Sequence, residues 1–159
     1  MNGPTPTRRP AFSLVEMITA ILVIGILVGV AAPRVLRGVD AAAVEATAGQ
    51  INTIMLAAEL CYSETGAWPS NQGGTVLPPE MAPFLRPNLF AVPCPIGGTY
   101  DWDYNNGGYV ASLKIYGVDS DLTEWEAVDR AIDDGNTTTG RLFYTAGSPL
   151  GRMRYVLEY

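Results

Sequence analysis

The sequence predicts an α+β fold, a long N-terminal α-helix packed on a small four-stranded antiparallel sheet, with the first half of the helix spanning a membrane. Three observations predict it. Residues 12–32 carry no charge except Glu16, and a run of that length at helical rise covers about 30 Å, the thickness of a bilayer core. Apolar side chains then recur on one helix face at Ile51, Ile54, Met55, Ala58, Cys61 and Tyr62. Two hairpin patterns, each broken by a glycine-containing turn, complete the chain.

The elements follow in order. Residues 41–48 are rich in alanine, a strong helix former, so the helix is expected to run from Phe12 to about Glu64, with Pro33 and Gly38 as bend points. Thr65, Gly66 and then Pro69 form its stop signal. Residues 67–96 are dense in proline and glycine yet too apolar for a disordered linker, which predicts a long ordered loop with one helical turn near residues 79–85. Tyr100, Trp102 and Tyr104 alternate with Asp101 and Asp103, then a turn at residues 105–108 leads into residues 109–116, a hairpin. Asp121 and Glu124 resemble a capping box for a helix reaching about Asp133, with Leu122, Trp125, Val128 and Ile132 facing inward. Residues 141–146 and 152–159 make the second hairpin. Residues 38–159 are enough for one hydrophobic core.

Composition excludes several functions. The 159 residues include 10 basic and 16 acidic side chains, a net charge of −6, and Lys114 is the sole lysine; nucleic-acid binding needs a basic stripe. There is no histidine, so no imidazole base, histidine triad or His-ligated metal exists. No nucleophile–base pair, phosphate loop or cofactor motif stands out, and the chain is not expected to be an enzyme. Cys61 and Cys94 are too few for a disulfide scaffold and match no zinc spacing.

The apolar segment admits three readings. A secretory signal fits the basic start at Arg8 and Arg9, but the stretch is long and Pro33 would follow the cut. A plain anchor leaves Glu16 unexplained, because a carboxylate within such a segment marks a functional pairing by default. The third reading rests on Arg8, Arg9, Pro10 and Ala11 followed by Phe12, Ser13, Leu14, Val15, Glu16 and Met17. This junction resembles the leader of type IV pilins and their relatives, the pseudopilins of type II secretion. The resemblance extends from Arg8 to roughly Pro69 and is specific over residues 12–17. It implies a leader at residues 1–11, a transmembrane and assembly helix at 12–37, and a periplasmic pilin-like head at 38–159.

The resemblance also implies processing and partners. A prepilin peptidase would cut between Ala11 and Phe12 and methylate the new amino terminus; alanine stands where the family usually has glycine. The amine of Phe12 and the carboxylate of Glu16 would then be the two charges of an apolar helix, penalised singly and neutralised as a pair between neighbouring subunits. Glu16, Gly25 and Pro33 become assembly residues, Gly25 with Gly29 forming a GxxxG that permits close helix approach. Local unwinding is implied over residues 25–33. The implied partners are identical subunits in a homo-oligomeric filament, related minor pilins, the inner membrane, and an assembly platform with its ATPase. Charge does not orient the segment, since Arg8 and Arg9 precede it and Arg34 and Arg37 follow it. The resemblance alone places the amino terminus in the cytoplasm and the head in the periplasm.

Other constellations carry two readings each. Asp119, Asp121, Glu124, Asp129, Asp133 and Asp134 are either helix caps and a solvated face or calcium ligands, with Asp119, Asp121, Asp133 and Asp134 the calcium candidates. The EF-hand spacing fails, and no other cofactor is expected. Tyr100, Trp102 and Tyr104 are either the buried face of a sheet or a sugar-stacking platform. Cys61 and Cys94 are either bridged, as an oxidising periplasm allows, or two buried thiols. A filament subunit is the leading expectation, and a membrane-anchored periplasmic ligand-binding module is its rival.

Overall fold

The computed structural model describes residues 12–119, 121–147 and 149–159, without the side chains of 30–39. The chain divides into two compact units, Met1–Val39 and Asp40–Tyr159. Its elements are α1 (Leu14–Thr65), a 3₁₀ turn (Pro79–Met81), β1 (Thr99–Asn106), β2 (Tyr109–Val118), α2 (Thr123–Ile132), β3 (Leu142–Thr145) and β4 (Gly151–Glu158).

The expected fold class is corrected at its membrane-spanning half. Among the described residues, no helix is long and apolar enough to cross a membrane. Residues 25–33, where unwinding was implied, lie within the helical bounds of α1.

In the second unit, the apolar face of α1 is buried through Ala48, Ile51, Ile54, Met55, Ala58 and Cys61. These side chains share one core with Tyr100, Trp102, Leu113, Ile115, Leu142, Met153 and Tyr155 of the sheet. The sheet is antiparallel throughout, in the order β1-β2-β4-β3. Its register explains the face: Tyr100 opposes Ile115 and Trp102 opposes Leu113, while Met153 opposes both Ile115 and Tyr144. A strand period of two puts this whole set on one side. Two hydrogen bonds fix the aromatics: Tyr100 donates to Gln50 Oε1 of α1 at 3.0 Å, part-buried, and Trp102 Nε1 donates to the Pro69 carbonyl at 2.9 Å, buried. Gly107 and Gly108, both at positive φ, close the first hairpin in two residues, the backbone a tight twisted hairpin demands.

The proline-rich loop is an ordered cover. Met81, Leu85, Leu89, Phe90 and Cys94 are buried in the same core, and Phe90 tilts against Tyr100 with ring centroids 6.1 Å apart.

The second face of the sheet departs from simple alternation. Asp101, Asp103, Ser112, Lys114 and Arg154 occupy it and are buried. Lys114 opposes Asp101 on one side and Arg154 on the other. Two like charges directly across a ladder repel, and Asp103 resolves this by taking Lys114 Nζ at 2.7 Å and Arg154 Nη1 at 3.3 Å on the same oxygen. Arg154 also donates to Ser112 Oγ at 2.8 Å, and Lys114 to the Tyr116 hydroxyl at 2.7 Å. Asn106 and Asn71 donate to the other oxygen of Asp103.

Candidate functional site

The first candidate surface lies in the first unit. From Phe12 to Val28 the large apolar side chains of α1 are exposed, among them Leu14, Val15, Ile18, Ile21, Leu22 and Leu27. Atoms placed as a Cβ on Gly25 or Gly29 would meet nothing within 4 Å, so the small-residue stripe is open to a close-packing neighbour. Glu16 lies in the first turn of α1. Its backbone N–H donates to Ser13 Oγ at 3.2 Å, and the Ser13 N–H donates to Glu16 Oε2 at 3.5 Å. This reciprocal S-x-x-E box satisfies two N–H groups that a helix end otherwise leaves unpaired. The signal stood in the sequence as Ser13 and Glu16 and went unread beside the charge-pairing role. Ala11 lies outside the described residues, as does the Pro33 side chain.

The second candidate is acidic. The structure divides the carboxylates that the sequence grouped together. Asp119, Asp121 and Glu124 line a cavity of about 610 Å³ with Asp40, Gly97 and Trp125. Asp121 serves there as a turn: its Oδ1 accepts from Thr123 N–H at 3.1 Å and Thr123 Oγ1 at 2.7 Å, and these bonds hold its pKa below the usual value. Leu122, not Asp121, is the N-cap of α2, and no side chain bonds there. The expected capping box is therefore an Asp–Thr turn placed one step earlier.

Asp129, Asp133 and Asp134 form the other group, each offering an oxygen within 4.8 Å of the others. Asp129 and Asp133 stand four positions apart, on one side of the end of α2. Asp133 Oδ2 accepts the backbone N–H of Arg141 and of Leu142, the latter at 2.9 Å. Asp134 accepts from Asn136 N–H at 2.9 Å and Thr139 Oγ1 at 2.8 Å. Gly140 is needed for this approach, because a Cβ there would collide with the Asp133 carboxylate. Burial first, then the charges of Asp133 and Asp134, push the Asp129 carboxyl up to about 6. Asp129 belonged to the acidic set weighed for calcium but not to its four named candidates, because its burial is tertiary information.

The remaining sequence candidates resolve simply. Cys61 and Cys94 are buried free thiols, so the considered bridge is not formed. Cys61 donates to the Glu80 carbonyl at 3.1 Å and Cys94 to that of Gly97; burial pushes the Cys94 thiol up to about 11. Tyr100 and Trp102 are buried in the core, which removes the sugar-stacking platform. Comparison of the chain with protein-family models, with curated proteins and with solved structures gives no match in any of the three.

Proposed function

We propose that the chain is a structural subunit of a type IV pilus-like or type II secretion pseudopilus filament, processed by a prepilin peptidase between Ala11 and Phe12. The observation that carries this reading is the junction itself, set before a helical stretch whose apolar side chains are exposed and whose one charge, over residues 12–29, is Glu16. Apolar surface of this extent needs a cover, and copies of the same stretch supply one, with Gly25 and Gly29 at the points of closest approach. The Glu16 carboxylate takes the new amine of a neighbouring Phe12. The head resides on the periplasmic side of the inner membrane before it joins a periplasmic or extracellular filament. Minor pilins, an assembly platform and its ATPase are the further partners, and the chain itself is not catalytic. The long proline-rich loop and the lack of any cysteine after Cys94 favour a pseudopilus over an adhesive pilus.

Intact mass and amino-terminal sequencing of the protein from its native cells test the processing. A chain starting at N-methylated Phe12 supports the proposal; one starting at Met1, or at Pro33 and beyond, overturns it. Two substitutions separate assembly from helix capping. Glu16→Gln keeps a capping-box side chain but loses the charge, and is expected to abolish filaments. Ser13→Ala keeps the charge, loses the cap, and is expected to leave filaments intact, as judged by electron microscopy of sheared or overexpressed assemblies.

A further inference from the structure

The first hairpin closes on an Asn106–Gly107 dipeptide that the fold leaves exposed. An asparagine is a latent electrophile, because the backbone nitrogen of the next residue attacks its side-chain carbonyl carbon once that nitrogen loses its proton. A side chain on the next residue crowds the attack, and glycine removes the crowding. Every other asparagine among the described residues precedes a residue with a side chain, such as Gln72 after Asn71 and Thr137 after Asn136. Two neighbours prepare the reaction at Asn106. Asp103 Oδ1 accepts from Asn106 Nδ2 at 2.9 Å and holds the side-chain amide at the turn. The Arg154 guanidinium lies 4.8 Å from the centre of the Tyr109 ring, and its Nη2 stands 3.3 Å from the place a Cβ on Gly107 would take. A fixed cation beside the Gly107 backbone favours the amide anion that must form before the attack.

We propose that Asn106–Gly107 is a self-modifying site, at which the asparagine converts to aspartate and isoaspartate without an enzyme. The Gly107 nitrogen gives its proton to hydroxide and bonds to Asn106 Cγ. The Cγ–Nδ2 bond breaks, and Nδ2 leaves as ammonia with a proton from water. The cyclic imide then adds one water at either carbonyl. Opening at Cγ gives aspartate on the original backbone; opening at the backbone carbonyl reroutes the chain through the side chain as isoaspartate. One water is consumed, one ammonia is released, and nothing is oxidised or reduced. The consequence falls on the buried network of the sheet. Asn106 and Asn71 both donate to Asp103 Oδ1. After conversion, residue 106 no longer donates and sets a second carboxylate against the enclosed one, where like charges repel. Isoaspartate also lengthens the backbone where Asn106 pairs with Tyr109. The head therefore loses stability as it ages, with this turn as the clock. The site stands apart from filament formation and does not depend on it.

The test holds the full-length chain in detergent at mildly alkaline pH and physiological temperature for several weeks, followed by peptide mapping in a mass spectrometer. A gain of about one dalton, amide to acid, is expected on the peptide that holds Asn106 and not on those that hold Asn71 or Asn136. Chromatography of that peptide should resolve an aspartate and an isoaspartate product. A synthetic peptide of residues 103–109 gives the rate without the fold, and the folded chain is expected to convert at least as fast. Asn106→Gln keeps an amide donor but needs a larger ring, and is expected to stay unconverted. Asn106→Asp, which is one of the two products, is expected to lower Tm by roughly 2–6 °C. The proposal is overturned if Asn106 converts more slowly in the folded chain than in the peptide, if Asn71 and Asn136 convert equally, or if Asn106→Asp melts with the wild type. The comparison of chain with peptide decides the matter even where a variant fails to fold.

Discussion

The two units invert the usual distribution of side chains. In the first, Phe12 is 76% exposed and Val15 71%; in the second, Asp103 is 1% exposed and Lys114 6%. Apolar groups lie open where charges normally sit, and charges are enclosed where apolar groups normally sit. The difference lies in where each finds a partner. The sheet's second face holds its partners within the chain: Asp103 serves two cations, and both asparagines complete its shell. Among the described residues of the first unit the large apolar side chains from Phe12 to Val28 stay exposed, and under the proposed function other subunits would cover them. Asp129 is the exception within the second unit, an enclosed carboxyl whose burial and acidic neighbours Asp133 and Asp134 push its pKa up to about 6.

The largest effect that breaks this comparison is Lys114→Ala. It leaves Asp101 and Asp103 enclosed with Arg154 alone, and should destabilise the head by about 3–5 kcal/mol in chemical denaturation. A loss under about 1 kcal/mol would mean that the network is solvated and that the contrast between the units is weaker than drawn. The same residue sets an alkaline limit. Burial opposes the Lys114 charge, but the bonds to Asp103 and Tyr116 and the charges of Asp103 and Asp101 outweigh it, so its pKa stands above the ordinary 10.5. Stability from this pairing is therefore complete below 10.5 and is lost as pH rises through the higher folded value. Melting curves of the wild type should fall there, and the fall should be shallower in Lys114→Ala, where the buried Cys94 thiol and Tyr100 hydroxyl still titrate.

Next in size is a matched pair of truncations. Ile54→Ala removes a fully buried side chain and should cost about 2–5 kcal/mol. Ile24→Ala, on the exposed stretch of α1, should change monomer stability by less than about 0.5 kcal/mol while weakening assembly. Equal losses in both would show that the first unit already buries this surface. Ser13→Ala should cost about 1 kcal/mol of local helix stability, read as faster amide exchange over the first turn of α1. The smallest effect is chemical: Cys94, raised by burial, should resist iodoacetamide at pH 8 until the head unfolds, since the thiolate is the reactive form.

Legibility in the sequence followed the range of the interaction. Both hairpins could be read because alternation and turn glycines are local signals; the two-residue turn at Gly107 and Gly108 needs nothing distant. The helix stop before Gly66 and the helical turn near Pro79 were readable for the same reason. The membrane span was not sustained among the described residues, where no helix is long and apolar enough to cross a membrane. The acidic set was misgrouped. Asp119 and Asp121 are neighbours of Asp129 and Asp133 along the chain, but only a helix between them decides which carboxylates meet.

By itself the sequence determined the alternation of the strands, the turns, the inward face of α1 and the absence of histidine chemistry, since each depends on residues within a few positions of one another. Tertiary structure alone decided that Asp101, Asp103, Lys114 and Arg154 are enclosed together, that the two thiols remain apart, and that Asp129 is buried facing two other acids. Those outcomes depend on which distant segments pack side by side, and burial changes the free energy of a charge far more than any neighbour in sequence can.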